Sequence, residues 1–192
     1  MRRDSAHYNC DVTVFWLHRI SAVILAAMDF RKIKGTPPRL DIVFSSFPLY
    51  FATFNTLIRS RLLDNATVHT AFQTYAHHGV ELGTAVGCYV IMPDHIHLFV
   101  RIADRMRLGQ WMKGLKRQLG NALTQQGHTP QRVPNGKLQS FWQPGFFDHV
   151  LRHDESYSEK WLYVCMNSVR AGLVERYEDW PYQGEIVRID RV

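Results

Sequence analysis

The fold is decided by the stretch Ala85-Val-Gly-Cys-Tyr-Val-Ile-Met-Pro-Asp-His-Ile-His-Leu-Phe-Val-Arg-Ile102. Two apolar runs, residues 85–92 and 96–102, lie on either side of Pro93-Asp94. Both runs are rich in the β-branched and aromatic residues that are typical of strands. Because so few residues separate them, the sequence predicts an antiparallel pair of core strands.

Further elements precede and follow this pair. Before the pair, the sequence predicts a strand at 49–55 and a helix from the Asp64-Asn65 cap to about 78. After the pair, it predicts a helix at 108–125, a polar loop at 127–136 and a strand at 141–151 that is bent at Pro144-Gly145. The last predicted element is a helix from Ser156 to Ala171 that ends at Gly172. This order predicts an α+β fold, a ferredoxin-like antiparallel sheet with helices packed on one face. Residues 1–42 have no clear period, and we interpret them as an N-terminal arm of unknown role before a single domain at 43–192.

Composition excludes several classes of protein. The 192 residues are 46% hydrophobic and 21% charged, which excludes a wholly disordered chain. No apolar run approaches the roughly 20 residues of a membrane helix, so we expect no membrane partner. The three cysteines are too widely spaced for a disulfide framework, which indicates a reducing, cytoplasmic compartment.

Positive charge is concentrated in one segment. The chain carries 23 Lys and Arg against 17 Asp and Glu, a net charge of +6. Residues 101–138 hold eight basic side chains against the single acid Asp104, a net charge of +7. Such a field attracts polyanions, nucleic acid above all, although a solvated helix face would have the same composition.

Four residues are candidates for chemistry. His95 and His97 are two apart on a predicted strand, so they project to one face and form a platform for a divalent metal ion. The alternative is a chance pair that bonds to backbone. Tyr163 and Asn167 are spaced i, i+4 on the predicted last helix, where Asn167 could complete a metal site and Tyr163 could be a covalent nucleophile. The alternative for Tyr163 is a core aromatic residue.

Four blocks carry a resemblance to a known family. Met92-Pro-Asp-His-Ile-His97 resembles the HUH motif of single-tyrosine transposases of the IS200-like type. Phe141-Trp-Gln-Pro-Gly-Phe-Phe147 is similar to the W-Q-x-x-[FY] block of the REP-associated tyrosine transposases, the branch whose Y-[IV]-x-x-N-P-V-[RK]-x-G-[LW]-V signature matches 163–174. Asp179-Trp-Pro-Tyr182 matches its closing D-W-P-[WFY]. The blocks occur in family order over most of the chain.

The resemblance implies a metal-dependent single-strand DNA endonuclease and strand transferase. His95, His97 and Asn167 would hold Mg²⁺ or Mn²⁺, and Tyr163 would attack the scissile phosphate and form a 5′-phosphotyrosine intermediate. The expected partner is single-stranded DNA with hairpin or palindromic elements, bound by a monomer or a homodimer, and a DNA partner implies association with the nucleoid. We expect DNA contacts from six residues: Arg101, Lys113, Lys116, Arg117, Trp142 and Arg170. For Trp142, which would stack on a base, a core position is the alternative.

One departure from the family signature supports a different function. Ser168 occupies the position of the usual Pro, and we expect it to loosen the helix locally, because Pro fixes φ and Ser does not. The alternative is therefore a catalytically silent, domesticated DNA-binding regulator on the same fold. The complete set of His95, His97, Tyr163 and Asn167 argues against that alternative.

Overall fold

The computed structural model describes residues 47–104, 106–132, 139–151 and 157–189. The predicted arm at 1–42 lies outside these ranges, so its boundary with the following domain stays a prediction. The strands are β1 (Leu49–Asn55), β2 (Thr84–Met92), β3 (His95–Ile102), β4 (Gln131–Arg132), β5 (Gln139–Ser140), β6 (Phe147–Val150) and β7 (Gln183–Glu185). The helices are α1 (Ala66–Glu81), α2 (Leu108–Gln125), α3 (Tyr157–Cys165) and α4 (Asn167–Arg170).

A five-stranded antiparallel sheet in the order β6-β1-β3-β2-β7 forms the centre of the fold. The predicted strand pair, β2 and β3, lies in the middle of this sheet, and every residue of β2 is buried. A strand covered on both faces needs a continuous apolar run, which explains why this stretch shows no alternation. The predicted α+β fold with an antiparallel sheet is confirmed.

The two faces of the sheet carry different helices. Ile96, Leu98 and their cross-strand partners face α1 and α2, where the Phe72 ring of α1 lies 4.5 Å from that of Tyr89. His95, His97 and Phe99 project to the opposite face, which we call the histidine face. There the Tyr157 ring of α3 lies 4.5 Å from that of Phe99. The two long helices therefore share one face, whereas α3 packs on the face of the histidine pair, which differs from the predicted arrangement with all helices on one face.

Several element bounds match the sequence prediction. The bounds of β1 and α2 are those predicted, and Asn65 caps α1 by accepting a hydrogen bond from the Val68 N–H at 3.0 Å. The predicted strand at 141–151 is wrong in its first half, because Gly145 turns the chain at φ 71°. Within this segment only β6 pairs with β1 as a strand. The loop predicted at 127–136 contains β4, which pairs with β5.

The predicted helix at 156–171 is interrupted at Met166, which separates α3 from α4. Ser168, fully buried, bridges this interruption, because its hydroxyl donates to the Cys165 carbonyl at 3.0 Å. Gly172 follows α4 with φ 65°, as predicted for the residue that ends a helix. Ser168 therefore joins the two helices through its side chain.

Two expectations from composition concern membrane spans and cysteines. Within the described ranges, no helix is both long enough and apolar enough to cross a bilayer. Cys88 and Cys165 are both buried and are not joined to each other, whereas Cys10 lies outside the described residues.

Candidate active site

His95 and His97 lie side by side on β3, as predicted. Their ring centroids are 4.7 Å apart and the two planes are nearly perpendicular, at 86°. Asn55 and Thr53 of β1 lie opposite them in the sheet, so the pair occupies the interior of the sheet rather than an edge. Because a central strand is fixed by ladders on both sides, the position of the two rings relative to each other is rigid.

Each imidazole is oriented by a partner at its Nδ1 atom. The hydroxyl of Thr53 lies 2.7 Å from Nδ1 of His97, and the Asp94 carboxylate lies 2.6 Å from Nδ1 of His95. Phe51 stacks on the His97 ring at 5.6 Å between centroids. These contacts leave the Nε2 atom of both rings for a ligand, which is how metal-binding histidines are commonly oriented.

Burial favours the neutral form of both rings. It lowers the pKa of His95, an effect that the Asp94 carboxylate partly opposes, and it lowers the pKa of His97 well below 6.5. His95 and the guanidinium groups of Arg59 and Arg170 lower the pKa of His97 further. At neutral pH both histidines are therefore uncharged, the form that binds a metal ion.

Arg59 joins the site without any signal in the sequence. Its Nε lies 2.7 Å from the Asp94 carboxylate, and its Nη1 donates to the Asn55 side-chain oxygen at 2.5 Å. Arg59 and the preceding Ile58 have positive φ values of 57° and 49°, which are unusual for residues other than glycine. This turn directs the guanidinium back toward His95, whose Nδ1 is 3.4 Å away.

Arg170 connects the tyrosine and the asparagine. Its Nη2 donates to the Tyr163 carbonyl at 2.8 Å and to the Asn167 side-chain oxygen at 2.6 Å, and its Cζ lies 4.2 Å from the Tyr163 ring centroid. Its charge also acts on His97 across the histidine face. Arg170, expected to contact phosphate, therefore contacts both Tyr163 and Asn167.

The structure supports the core alternative for Trp142. Its side chain is 7% exposed, its ring packs edge-on against Phe54, and its Nε1 donates to the Lys116 carbonyl at 2.9 Å. A buried ring has no free face for a base, so stacking by Trp142 is not available in this structure. Arg101 is 9% exposed, which also argues against the phosphate contact expected for it.

The three basic residues of α2 differ in their surroundings. Lys113 and Arg117 are exposed, as a DNA-binding face requires. The Lys116 ammonium instead donates to the carbonyls of Gln143, at 3.1 Å, and of Gly145, and it lies over the Phe54 ring. Its burial lowers its pKa to about 8. Lys116 thus holds the loop of the W-Q-x-x-[FY] block in place.

The donor atoms of the site suit a metal ion held by two histidines and an amide. Within the described ranges, no group of three or more His, Cys, Asp and Glu residues is placed to bind a metal. The side-chain oxygen of Asn167, the third ligand expected from the sequence, is a hard donor of the kind that Mg²⁺ and Mn²⁺ prefer. In the present conformation that oxygen accepts from Arg170.

Fold and site together define the class of single-tyrosine transposases. An antiparallel sheet carries a histidine pair on its central strand, and a tyrosine and an asparagine four residues apart lie on the C-terminal helices. The chain belongs to the IS200-like transposase family, whose family model matches residues 52–161.

Proteins similar to this chain include two curated relatives and a solved structure. A protein named putative REP-associated tyrosine transposase from Haemophilus influenzae is 30% identical over 115 residues, which are 57% of this chain and 61% of the relative. The REP-associated tyrosine transposase of Escherichia coli K12 is 25% identical over 99 residues, 50% of this chain and 52% of the relative. The chain thus matches less than two thirds of either relative.

The structural match extends further along the chain. A solved REP-associated tyrosine transposase bound to a REP hairpin superposes with a TM-score of 0.53 and 21% identity, covering 75% of this chain and 90% of the other. At this identity the match supports the fold alone.

Proposed function

We propose that this protein is a metal-dependent single-strand DNA endonuclease and strand transferase that acts on hairpin-bearing DNA. The observation that carries the proposal is the orientation of the histidine pair, in which Asp94 and Thr53 occupy both Nδ1 atoms. Two neutral imidazoles that lie side by side with their Nδ1 atoms engaged and Nε2 available suit a divalent metal ion.

Tyr163 is the proposed nucleophile. Its phenolic oxygen would form a bond to phosphorus, the bond from phosphorus to the 3′ oxygen would break, and the departing oxygen would take a proton as it becomes a 3′-OH. The phenolic proton would pass to solvent. The product is a 5′-phosphotyrosine, and attack by a 3′-OH on that linkage reverses the same steps and rejoins DNA.

The remaining site residues would bind and orient. His95, His97 and Asn167 would hold Mg²⁺ or Mn²⁺, which supplies charge stabilisation at the phosphate oxygens. For Asn167 to serve, the Arg170 guanidinium has to leave the side-chain oxygen that it now contacts. Arg170 is exposed, so it can turn toward a DNA phosphate when the substrate binds.

The proposed substrate is DNA with a hairpin next to unpaired nucleotides. Support comes from the net charge of +7 at residues 101–138 and from the similar solved structure, a transposase bound to a REP hairpin. Transposition of a mobile element, the nucleoid location and the choice between monomer and homodimer stay predictions.

The test is formation of a covalent protein–DNA adduct. Wild-type protein incubated with hairpin-bearing single-stranded DNA and Mn²⁺ should give an SDS-resistant adduct, and Tyr163→Phe should give none while it binds the DNA with similar affinity. Tyr50→Phe is the matched control, because Tyr50 lies on β1 and projects to the face opposite the histidines.

Two outcomes would contradict the proposal. An adduct that persists in Tyr163→Phe would eliminate that residue as the nucleophile. Tight binding of the hairpin by the wild type with no adduct in Mg²⁺ or Mn²⁺ would favour the catalytically silent regulator.

A further inference from the structure

We propose that Phe147 is a stacking platform for an unpaired base of the DNA strand that occupies the active site. The inference rests on the proposed function, since it names the surface beside the histidine pair that receives a nucleotide. It moves the stacking role expected for Trp142, which is buried, to an aromatic residue of the same block.

Phe147 is exposed in a way that packing does not explain. It presents 54% of its surface to solvent, whereas its neighbour Phe146 packs against the core. Of the large hydrophobic residues that are exposed in the described part of the chain, which also include Ile58, Leu82 and Val150, Phe147 is the only aromatic one. A ligand that stacks on its ring would remove this apolar surface from water.

The sheet register places Phe147 beside the candidate metal ligands. Thr53 of β1 pairs with Phe147 on one side and with His97 on the other, so the three side chains project to the histidine face in one row. Adjacent strands are about 4.8 Å apart, so the Cα atoms of Phe147 and His97 are separated by roughly 10 Å. A base on Phe147 would belong to a nucleotide close to the scissile phosphate.

The chemistry of the surroundings favours a nucleotide over an apolar partner. Thr53 and His97 lie in the same row as Phe147, Phe51 and His149 lie in the next row of this face, and the Arg59 guanidinium lies 3.4 Å from Nδ1 of His95. Aromatic rings bind unpaired bases by stacking, in combination with positive charge that binds the backbone. We therefore assign an unpaired base to this surface, rather than a second copy of the chain.

The experiment pairs changes in the DNA with changes at Phe147. Each unpaired nucleotide next to the hairpin is replaced in turn by an abasic residue, and fluorescence anisotropy gives the affinity of each DNA for wild type and Phe147→Ala. For wild type we expect one position at which the abasic residue weakens binding about 5- to 150-fold. Phe147→Ala should bind intact DNA more weakly by a similar factor and lose nothing further at that one position, while the other positions behave as in wild type.

Three variants separate stacking from other roles. Phe147→Tyr should restore the positional effect, whereas Phe147→Leu, which keeps apolar bulk without an aromatic face, should not. Val150→Ala should match wild type, because Val150 is also exposed on β6 but pairs with Tyr50 and projects to the opposite face.

The proposal is overturned if Phe147→Ala keeps the full abasic effect at every position, or if Phe147→Leu equals wild type. A shift of Phe147→Ala from dimer to monomer with unchanged DNA affinity would also overturn it, and would assign the surface to contacts between copies. If the wild type neither binds hairpin DNA nor forms an adduct, the proposed function itself fails. The wild-type binding and adduct measurements show this before any variant is used.

Discussion

The hydrogen bond between Thr53 and His97 predicts how a change at Thr53 alters metal affinity. The hydroxyl lies 2.7 Å from Nδ1 of His97, and partners at this atom fix the ring so that Nε2 faces the metal. Thr53→Val keeps the shape and removes the hydrogen bond. We expect Mn²⁺ affinity, measured by EPR titration, to fall by about 10- to 100-fold.

The matched control for this change is Thr124→Val. Thr124 also uses its hydroxyl within the protein, to the Gly120 carbonyl at 3.0 Å, but it lies on the exposed side of α2. Equal Mn²⁺ affinities for Thr53→Val and Thr124→Val would show that the Thr53 contact does not orient a metal ligand.

The buried amine of Lys116 predicts how the free energy of unfolding changes with pH. Burial lowers its pKa to about 8 in the folded protein, against 10.5 for an unperturbed lysine. Below pH 8 the amine is protonated in both states and adds no pH dependence. Between pH 8 and 10.5 the unfolded chain binds a proton that the folded chain has released, so this group makes the free energy of unfolding rise with pH.

Lys116→Met should remove that rise and keep the aliphatic stem over Phe54. Urea unfolding of both proteins without metal at pH 7.5 and 9.5 measures the difference. The slope due to one proton is at most about 1.4 kcal/mol per pH unit, and it is smaller here because the amine is partly exposed. Parallel pH profiles for the two proteins would refute the lowered pKa.

The sequence identified the four candidate residues for the chemistry, but it did not identify the side chains that contact the histidine pair. His95, His97, Tyr163 and Asn167 occur at spacings that a strand or helix brings to one face, so local periodicity was sufficient. Thr53 and Arg59 are separated from their histidine partners by 44 and 36 residues. Their roles depend on the β1–β3 register and on a left-handed turn at Ile58-Arg59, and neither feature has a local pattern.

At the scale of elements, the joint between α3 and α4 replaces the continuous helix that the sequence predicted. Ser168 is buried there, and its hydroxyl donates to the Cys165 carbonyl. The expectation that Ser loosens the helix omitted this contact. Ser168→Ala should lower the free energy of unfolding by about 0.5 to 1.5 kcal/mol, because a buried hydrogen bond is lost.

Urea denaturation measures this change, and Ser140→Ala provides a comparison. The Ser140 hydroxyl accepts from the Trp142 N–H at 2.9 Å, at the end of β5. If Ser168→Ala is as stable as wild type, the side-chain contact does not hold the two helices together. A loss of adduct formation in Ser168→Ala but not in Ser140→Ala would show that the joint also positions Tyr163.

Helices and strands with a regular spacing of apolar residues were predictable from the sequence, and those without such spacing were not. The bounds of β1 and α2 follow from their apolar patterns, since each buries one side against the core. β7 is the sequence Gln-Gly-Glu, which has no apolar side chain, and it forms a strand because the edge of β2 offers free backbone groups. Its existence depends on tertiary structure alone.

At the scale of the whole molecule, fewer of the clustered basic side chains are available to DNA than the sequence indicated. Of the basic residues of α2, Lys113 and Arg117 are exposed, whereas Lys116 is engaged by two backbone carbonyls of the 143–145 loop. Counterion release requires side chains that reach phosphates. The α2 contribution to DNA binding should therefore come from two residues rather than three.

Salt dependence distinguishes these residues. In Lys113→Ala with Arg117→Ala, the slope of log affinity against log salt concentration should become shallower by about 0.7 to 0.9 for each side chain removed, with binding weakened for all DNA sequences. Lys116→Met should leave the slope unchanged, even where it weakens binding by loosening the loop. Anisotropy titrations of hairpin DNA from 50 to about 200 mM salt cover the range in which counterion release dominates the affinity.

Two results would contradict this assignment. If Lys113→Ala with Arg117→Ala has the same slope as wild type, this helix does not contact DNA. If Lys116→Met has a shallower slope than wild type, the Lys116 ammonium leaves the loop when DNA binds.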